Sequence, residues 1–273
     1  MVRIVTDSTC DLPLSDLEER GITLVPLSVR FGARSYRDGL DIGHGEFYRM
    51  MADHSELPTT SQPAPGDFLE IYRRLAGEGA SILSIHLSSR LSGTVNSARM
   101  ARDLLMEDEP GASVTVIDSL TATLGLGMMV LKAHALAGQG MPVEHIAADL
   151  NSMAPRNHGV GLVKDLHHLS RGGRLSGSQA FFGSLLKVVP LIKMEQGVLE
   201  PLGKAVGVQA GLKKIGEYIQ QKGSGSPPPS LALVTGELIE ERDRLAEMLQ
   251  AGHPRSPIMK GTLGAVIGAH LGP

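Results

Sequence analysis

The chain has 273 residues, 42% of them hydrophobic, 20% charged and 3% aromatic, with a formal net charge of -3. That length can build one large or two modest domains. A near-neutral balance without a basic block or an aromatic-interleaved patch leaves nucleic-acid binding without a footprint, and the single cysteine, Cys10, rules out an internal disulfide and fits a reducing cytoplasm.

In chain order, "VRIVTD" reads as a buried strand. Arg3 and Asp7 interrupt its short apolar run, so it is not a signal peptide. "PLSDLEERG" reads as a short helix stopped by Gly21, "TLVPLSVRFG" as extended chain and "GARSYRDG" as a hairpin or excursion. Residues 65–78 carry Phe68, Leu69, Ile71, Tyr72 and Leu75 at helical spacing. A strand "SILSIHLS", a helix "SGTVNSARMARDLLM", a strand "SVTVIDS" and an apolar helix "TATLGLGMMVLKAHALA" follow. This alternation predicts a mostly parallel sheet flanked by helices. A helix ending near Met153–Pro155 closes the first unit, which gives an expected division into α/β domains at 1–155 and 156–273. The second half predicts a mixed sheet with a hairpin, "PLIKMEQGVLEPL", turning at Gln196-Gly197. A helix over "VQAGLKKIGEYIQQKG", a surface loop over 224–230, a strand "LALVTG" and a last helix "LIEERDRLAEMLQAG" complete it. No window approaches the ~20 apolar residues of a membrane span.

Catalytic signatures are absent. There is no G-x-S-x-G elbow, no H-E-x-x-H or cysteine pair for a metal, and no Walker or G-x-G-x-x-G motif. Cys10 reads as a small buried residue. "RGGRLSG", from Arg171 to Gly177, is either a helix cap with exposed arginines or a cradle for an anion. Two hydroxyl clusters stand out: Thr59, Thr60 and Ser61 between Pro58 and Pro63, and Ser88 to Thr94. Each follows extended chain and precedes a helix. Alone, each is explained by helix capping, with Pro65 in a first turn and Ser92 at an N-cap. Together they lie where open α/β sheets bind ligands, and hydroxyls with helix N-terminal amides suit a carboxylate or phosphate.

The ordered set "IVTDSTCDLP", "YRDGLDI", "LPTTSQPAPGDF", "LSSRLSGTVNSA", "VIDS", "LSRGGRLSGSQAFFGSLLKVVPLI" and "IGAHLGP" resembles the DegV family nearly end to end. That family includes the fatty-acid-binding component of bacterial fatty acid kinase. The resemblance implies two α/β domains with a long-chain, palmitate-like fatty acid between them, and no catalytic residue, cofactor or metal on this chain. It implies a lipid carrier that presents the acid to a partner kinase subunit for acyl phosphate formation, or serves lipid transport and fatty acid metabolism. The setting is cytoplasmic, with transient membrane-surface contact at most. By motif, the carboxylate falls to Thr60 and Ser92, with Thr59, Ser61 and Gly93 beside them and His270 near the head group. Phe181, Phe182 and Leu185 fall to the acyl-tail pocket. Kinase-serving relatives often carry arginine after the central hairpin, whereas "GKAVGVQAGLKK" has none, which implies altered docking. Relatives also continue past the "HLGP" match with a final strand. The competing reading is a phosphotransferase-related enzyme acting on a small phosphorylated metabolite, with His86 as a phosphorylatable strand-end histidine.

Overall fold

The computed structural model describes residues 1–54, 56–164, 168–169, 172–176, 188–223 and 230–273. Its centre is a parallel sheet of β1 (Val2–Asp7), β2 (Thr23–Val25), β6 (Ser81–His86) and β7 (Ser113–Asp118), in the order β2-β1-β6-β7. Successive residues of a strand point to opposite faces, so a strand covered on both sides must be apolar throughout. In β1, Ile4 joins Leu126, Met129, Val130, Ile146 and Leu150 of α5 (Thr123–Gly138) and α6 (Val143–Met153). Its neighbour Val5 joins Phe68, Tyr72, Ala98 and Leu105 of α3 (Pro65–Gly77) and α4 (Thr94–Asp108) on the other face. The short helix α1 is Leu14–Glu19, and Gly21 follows it with φ +62, a left-handed turn that suits glycine.

Between β2 and β6 the chain makes an antiparallel excursion. β3 (Ser28–Phe31) pairs with β4 (Arg34–Arg37) on one side and with β5 (Thr59–Ser61) on the other. The Thr59–Ser61 stretch is therefore a three-residue strand, and because its partner β3 lies about thirty residues away, no local pattern in the sequence announces it. Helix α2 (His44–Asp53) packs on this small sheet together with α9 (Ala265–Leu271), through Phe31, Phe47, Tyr48, Ala265 and Ala269.

The second half holds an antiparallel sheet, β10-β9-β8, from β8 (Gly159–Leu162), β9 (Val188–Glu195) and β10 (Val198–Val206). A separate parallel pair is formed by β11 (Leu231–Thr235) and β12 (Ile258–Thr262). Helices α7 (Val208–Lys222) and α8 (Ile239–Gly252) join them through Leu191, Leu212, Ile215, Leu233, Leu245 and Leu249. The expected hairpin is present, with Gln196 and Gly197 at φ +51 and +77, as a two-residue turn requires. Its tip is held at the first unit, where Ser88 Oγ donates to Gly197 O at 2.8 Å. A Cβ on Gly197 would lie 2.4 Å from that Oγ, so glycine is needed there for room as well as for φ. The expected loop over 224–230 lies outside the described residues except for Ser230. Among the described residues, no helix is long and apolar enough to cross a membrane.

Candidate functional site

A cavity of about 290 Å³ opens where the excursion, the parallel sheet, the β9–β10 hairpin and α9 meet. Thr60, Ser61, Gln62, Ser92, Arg174 and His270 contribute its polar wall; Leu27, Leu87, Leu91, Leu169, Val266 and Ile267 contribute apolar wall. Four of the six residues expected at a carboxylate thus line one space: Thr60, Ser61, Ser92 and His270. Gly93 is the N-cap of α4, directly after Ser92, and Thr59 is exposed, paired with Arg30 across β3. Neither lines the cavity. Phe181, Phe182 and Leu185 lie outside the described residues.

His270 organises the polar end. Its Nε2 lies 2.8 Å from Thr60 Oγ1, while its buried Nδ1 finds no hydrogen-bond partner among the described residues. Burial, and secondarily the Arg174 guanidinium, lower its pKa to about 4, so the ring is neutral near pH 7. A neutral imidazole carries one N–H, and a buried N–H without an acceptor is rare in folded proteins. The proton therefore belongs on Nε2 and is donated to Thr60 Oγ1. Thr60 keeps its own O–H to donate to a third group. Gly172 packs over the other ring nitrogen, where an added Cβ would sit 2.6 Å from Nδ1.

On the opposite arm, Ser92 Oγ lies 2.9 Å from Thr94 Oγ1 and 3.4 Å from Thr94 N, at the open end of α4. Ser92 is not the N-cap the sequence suggests. It stands one residue earlier, and the N-cap is Gly93, which has no side chain to make a capping bond. Pro65 does occupy the first turn of α3. Arg174 donates Nε to Leu91 O at 3.3 Å and another N–H to Gly172 O, which ties a positive charge beside the cavity. Two hydroxyls, first-turn amides and a guanidinium can replace the water lost by an anionic oxygen pair.

A second cavity of about 310 Å³ adjoins the first and shares Ala122, Thr123, Met194, Leu199 and Leu271 with it. It runs between β8 and β11, which belong to separate sheets, and is walled by Val160, Leu162, Ile192, Leu212, Ile215 and Leu233. Thr123 at the junction has φ +56, a costly conformation for a β-branched residue. Arg174, Gln62, Thr123, Met194 and Leu199 were not foreseen as site residues. Only Arg174 had a sequence signal, the Gly-Gly turn of "RGGRLSG". Each cavity is at the small end of ligand sites, which run to roughly 300–1,000 Å³.

His86 is not at the site. It is fully buried, with Nε2 2.6 Å from Ser84 Oγ and Nδ1 3.0 Å from Asp7 Oδ2. A phosphorylatable histidine needs a free, reachable nitrogen, so the structure removes the residue on which the phosphotransferase reading rested. Among the described residues, no group of three or more His, Cys, Asp or Glu side chains could hold a metal.

The family model described as "Uncharacterised protein, DegV family" matches residues 1–273. The chain belongs to the DegV family. It is 36% identical over 272 residues to Protein DegV of Bacillus subtilis, covering 99% of this chain and 95% of that protein. Among solved structures, it is similar to a DegV family protein from Thermus thermophilus described by its fatty acid binding. That match has 37% identity and a TM-score of 0.86, and covers 100% of this chain and 96% of the other. The crystal structure of DegV from Bacillus subtilis, a fatty acid binding protein, matches at 36% identity and a TM-score of 0.88, covering 99% and 95%. A stearic acid-binding protein from Eubacterium ventriosum matches at 28% identity and a TM-score of 0.90, covering 100% and 95%. The mixed α/β architecture of this DegV-family chain is that of these structures.

Proposed function

We propose that this protein binds one long-chain fatty acid between its two α/β units, 1–155 and 156–273, and presents the carboxylate to a separate fatty acid kinase for conversion to an acyl phosphate. The observation that carries the reading is the junction of the two cavities. A polar end holding Thr60, Ser92 and His270 continues into an apolar space through Ala122, Thr123, Met194, Leu199 and Leu271. The carboxylate accepts hydrogen bonds from Thr60 and Ser92, with Ser61 at the rim and Arg174 as counter-charge. Thr59 and Gly93 hold the backbone on either side. The tail lies in the second cavity, where each buried CH₂ is worth roughly 0.8 kcal/mol before association costs. A head group at an accessible rim fits transfer to an enzyme that supplies the chemistry. The chain itself then acts as a carrier in the cytoplasm, with no cofactor.

Lipid extraction and native mass spectrometry of the purified protein test the binding. One acyl chain per protein is expected, and delipidated protein should take up palmitate or oleate. Recovering no acyl chain, together with no uptake, overturns the reading. Incubation with ATP and a fatty acid kinase subunit tests the presentation role: acyl phosphate is expected only when both proteins are present.

A further inference from the structure

Thr60 and Ser92 stand on different sheets. β5 pairs with β3 alone, while Ser92 follows β6 of the parallel sheet. Two hydroxyls serving one carboxylate must keep a fixed separation, and strand pairing does not supply it. Among the described residues, a single hydrogen bond joins 59–63 to 88–97: Gln62 Nε2 donates to Ser97 Oγ at 3.0 Å. Ser97 is 2% exposed, lies on the buried side of α4 and does not line the cavity. The other end of the same amide is seated against Gly93. A Cβ on Gly93 would fall 2.2 Å from Gln62 Oε1 and 2.6 Å from Nε2. Gly93 has an ordinary φ of -76°, so no backbone strain calls for glycine there; the room taken by the amide does.

We infer that Gln62, Gly93 and Ser97 form a spacer that sets the distance between the two arms of the carboxylate clamp. Gln62 is two residues from Thr60, and Gly93 is adjacent to Ser92. The amide wedged between them ties the β5 arm and the Ser92 loop into one pair. The inference rests on the fatty-acid reading and makes these three positioning residues for head-group selectivity. Bringing donors into register is what separates a strong charged hydrogen bond from a weak one, and displacements near 1 Å are enough to lose it.

The test measures affinity for palmitate and for methyl palmitate on delipidated protein. The proteins are wild type, Gln62→Ala, Ser97→Ala, Gly93→Ala and the Gln62→Ala/Gly93→Ala double variant, with thermal midpoints recorded for each. Wild type should prefer the acid. Each single substitution should weaken palmitate binding by about threefold to tenfold, while ester binding stays within about twofold. Gly93→Ala should cost nothing further once Gln62 is alanine, because the new methyl occupies the vacated space. Ser97→Ala is decisive, since Ser97 does not line the cavity and its loss leaves an exposed amide free to meet water. If Ser97→Ala keeps the full preference for the acid, the spacer is overturned. It is equally overturned if only Gln62→Ala loses the preference, because Gln62 is then a direct ligand. A wild-type protein that binds neither compound overturns the fatty-acid reading itself, and the spacer with it.

Discussion

Two histidines of this protein sit in polar chains, and they are wired differently. His86 belongs to a closed network. Asp7 accepts from His86 Nδ1, from the N–H groups of Leu87 and Thr9, and from the Thr9 hydroxyl. An acceptor-only Asp7 fixes the tautomer, so Ser84 donates to His86 Nε2 and Tyr72 donates to Ser84 at 2.7 Å. Every member is fully buried. His270, beside a cavity, has one nitrogen on Thr60 and the other without a partner among the described residues. A polar group with all its bonds made can only lose by rearranging, so it holds the fold. At the cavity the bond left over is the Thr60 O–H, since the spare nitrogen of His270 is a buried acceptor against Gly172, and that O–H is available to a ligand. The difference separates His86, on which the phosphotransferase reading rested, from His270, which the motif resemblance expected near the head group and which lines the cavity.

The largest expected effect comes from opening the closed network. Asp7→Ala should destabilise the protein by about 3–5 kcal/mol, because four buried donors lose their acceptor at once. Urea unfolding measures this, and palmitate affinity of the folded fraction should hardly change. A small stability loss with a large affinity loss would reverse the roles of the two regions. Next is the open site. Thr60→Ala or Ser92→Ala should weaken fatty acid binding by about tenfold to a hundredfold, for a charged hydrogen bond of roughly 1.5–3 kcal/mol. Ser92→Ala should leave thermal stability nearly unchanged, whereas Thr60→Ala also strips the buried His270 Nε2–H of its acceptor and should cost about 1–3 kcal/mol. Helix capping as the only role predicts the opposite: about 1 kcal/mol of stability lost and affinity unchanged.

A pH scan sharpens the contrast with a smaller effect. His270 has its pKa lowered to about 4, mainly by burial, against roughly 6.5 unfolded. The unfolded chain takes up this proton first, so the contribution is present above pH ~6.5 and is lost as pH falls toward 4. Asp38 runs the other way. Its pKa is raised to about 6, chiefly by burial, while its carboxyl accepts from the backbone of Ala265 and Val266 at the start of α9. Its contribution is full below pH ~3.8 and is lost as pH rises through 6. His270→Gln removes the first and keeps the second. Its stability relative to wild type should therefore improve as pH falls from 7 to 4.5, by up to about 1–3 kcal/mol. Equal slopes in urea midpoint against pH would deny His270 its buried, neutral state. The smallest effect concerns Cys10, whose thiol burial pushes above its usual range. It should resist iodoacetamide at pH 8 in the native protein and react once urea is added.

Most long elements were legible because their apolar spacing is strong, as in α3 and α4, or because a turn is marked, as at Gln196-Gly197. Helix α2 was not. Its apolar residues Phe47, Tyr48, Met50 and Met51 fall in adjacent pairs, and its N-cap is a glycine without a capping bond. β5 and β8 are three and four residues long and take their identity from distant partners. In the site, the hydroxyls Thr60 and Ser92 were legible as residue types near helix starts. What the sequence could not carry is direction: which nitrogen of His270 is bonded, where the Gln62 amide turns, and that Met194 and Thr123 meet at the junction of two cavities. Those follow from how separate sheets are placed.

Thr60 meets His270 across 210 positions, and Asp11 receives the Gly264 N–H across 253. During synthesis, the strand carrying Thr60 and the loop carrying Ser92 leave the ribosome long before α9 exists. A nascent chain can fold its parallel sheet, since domains generally form in order of emergence, yet Thr60 then lacks His270 and the cavities lack the walls that Met194, Leu199 and Leu233 supply. Because a ligand stabilises only the state it binds, an acyl chain rewards a chain in which α9 and both cavities are in place over one that still lacks them. Closure over so long a separation is slow to nucleate, so the site is among the last features to form.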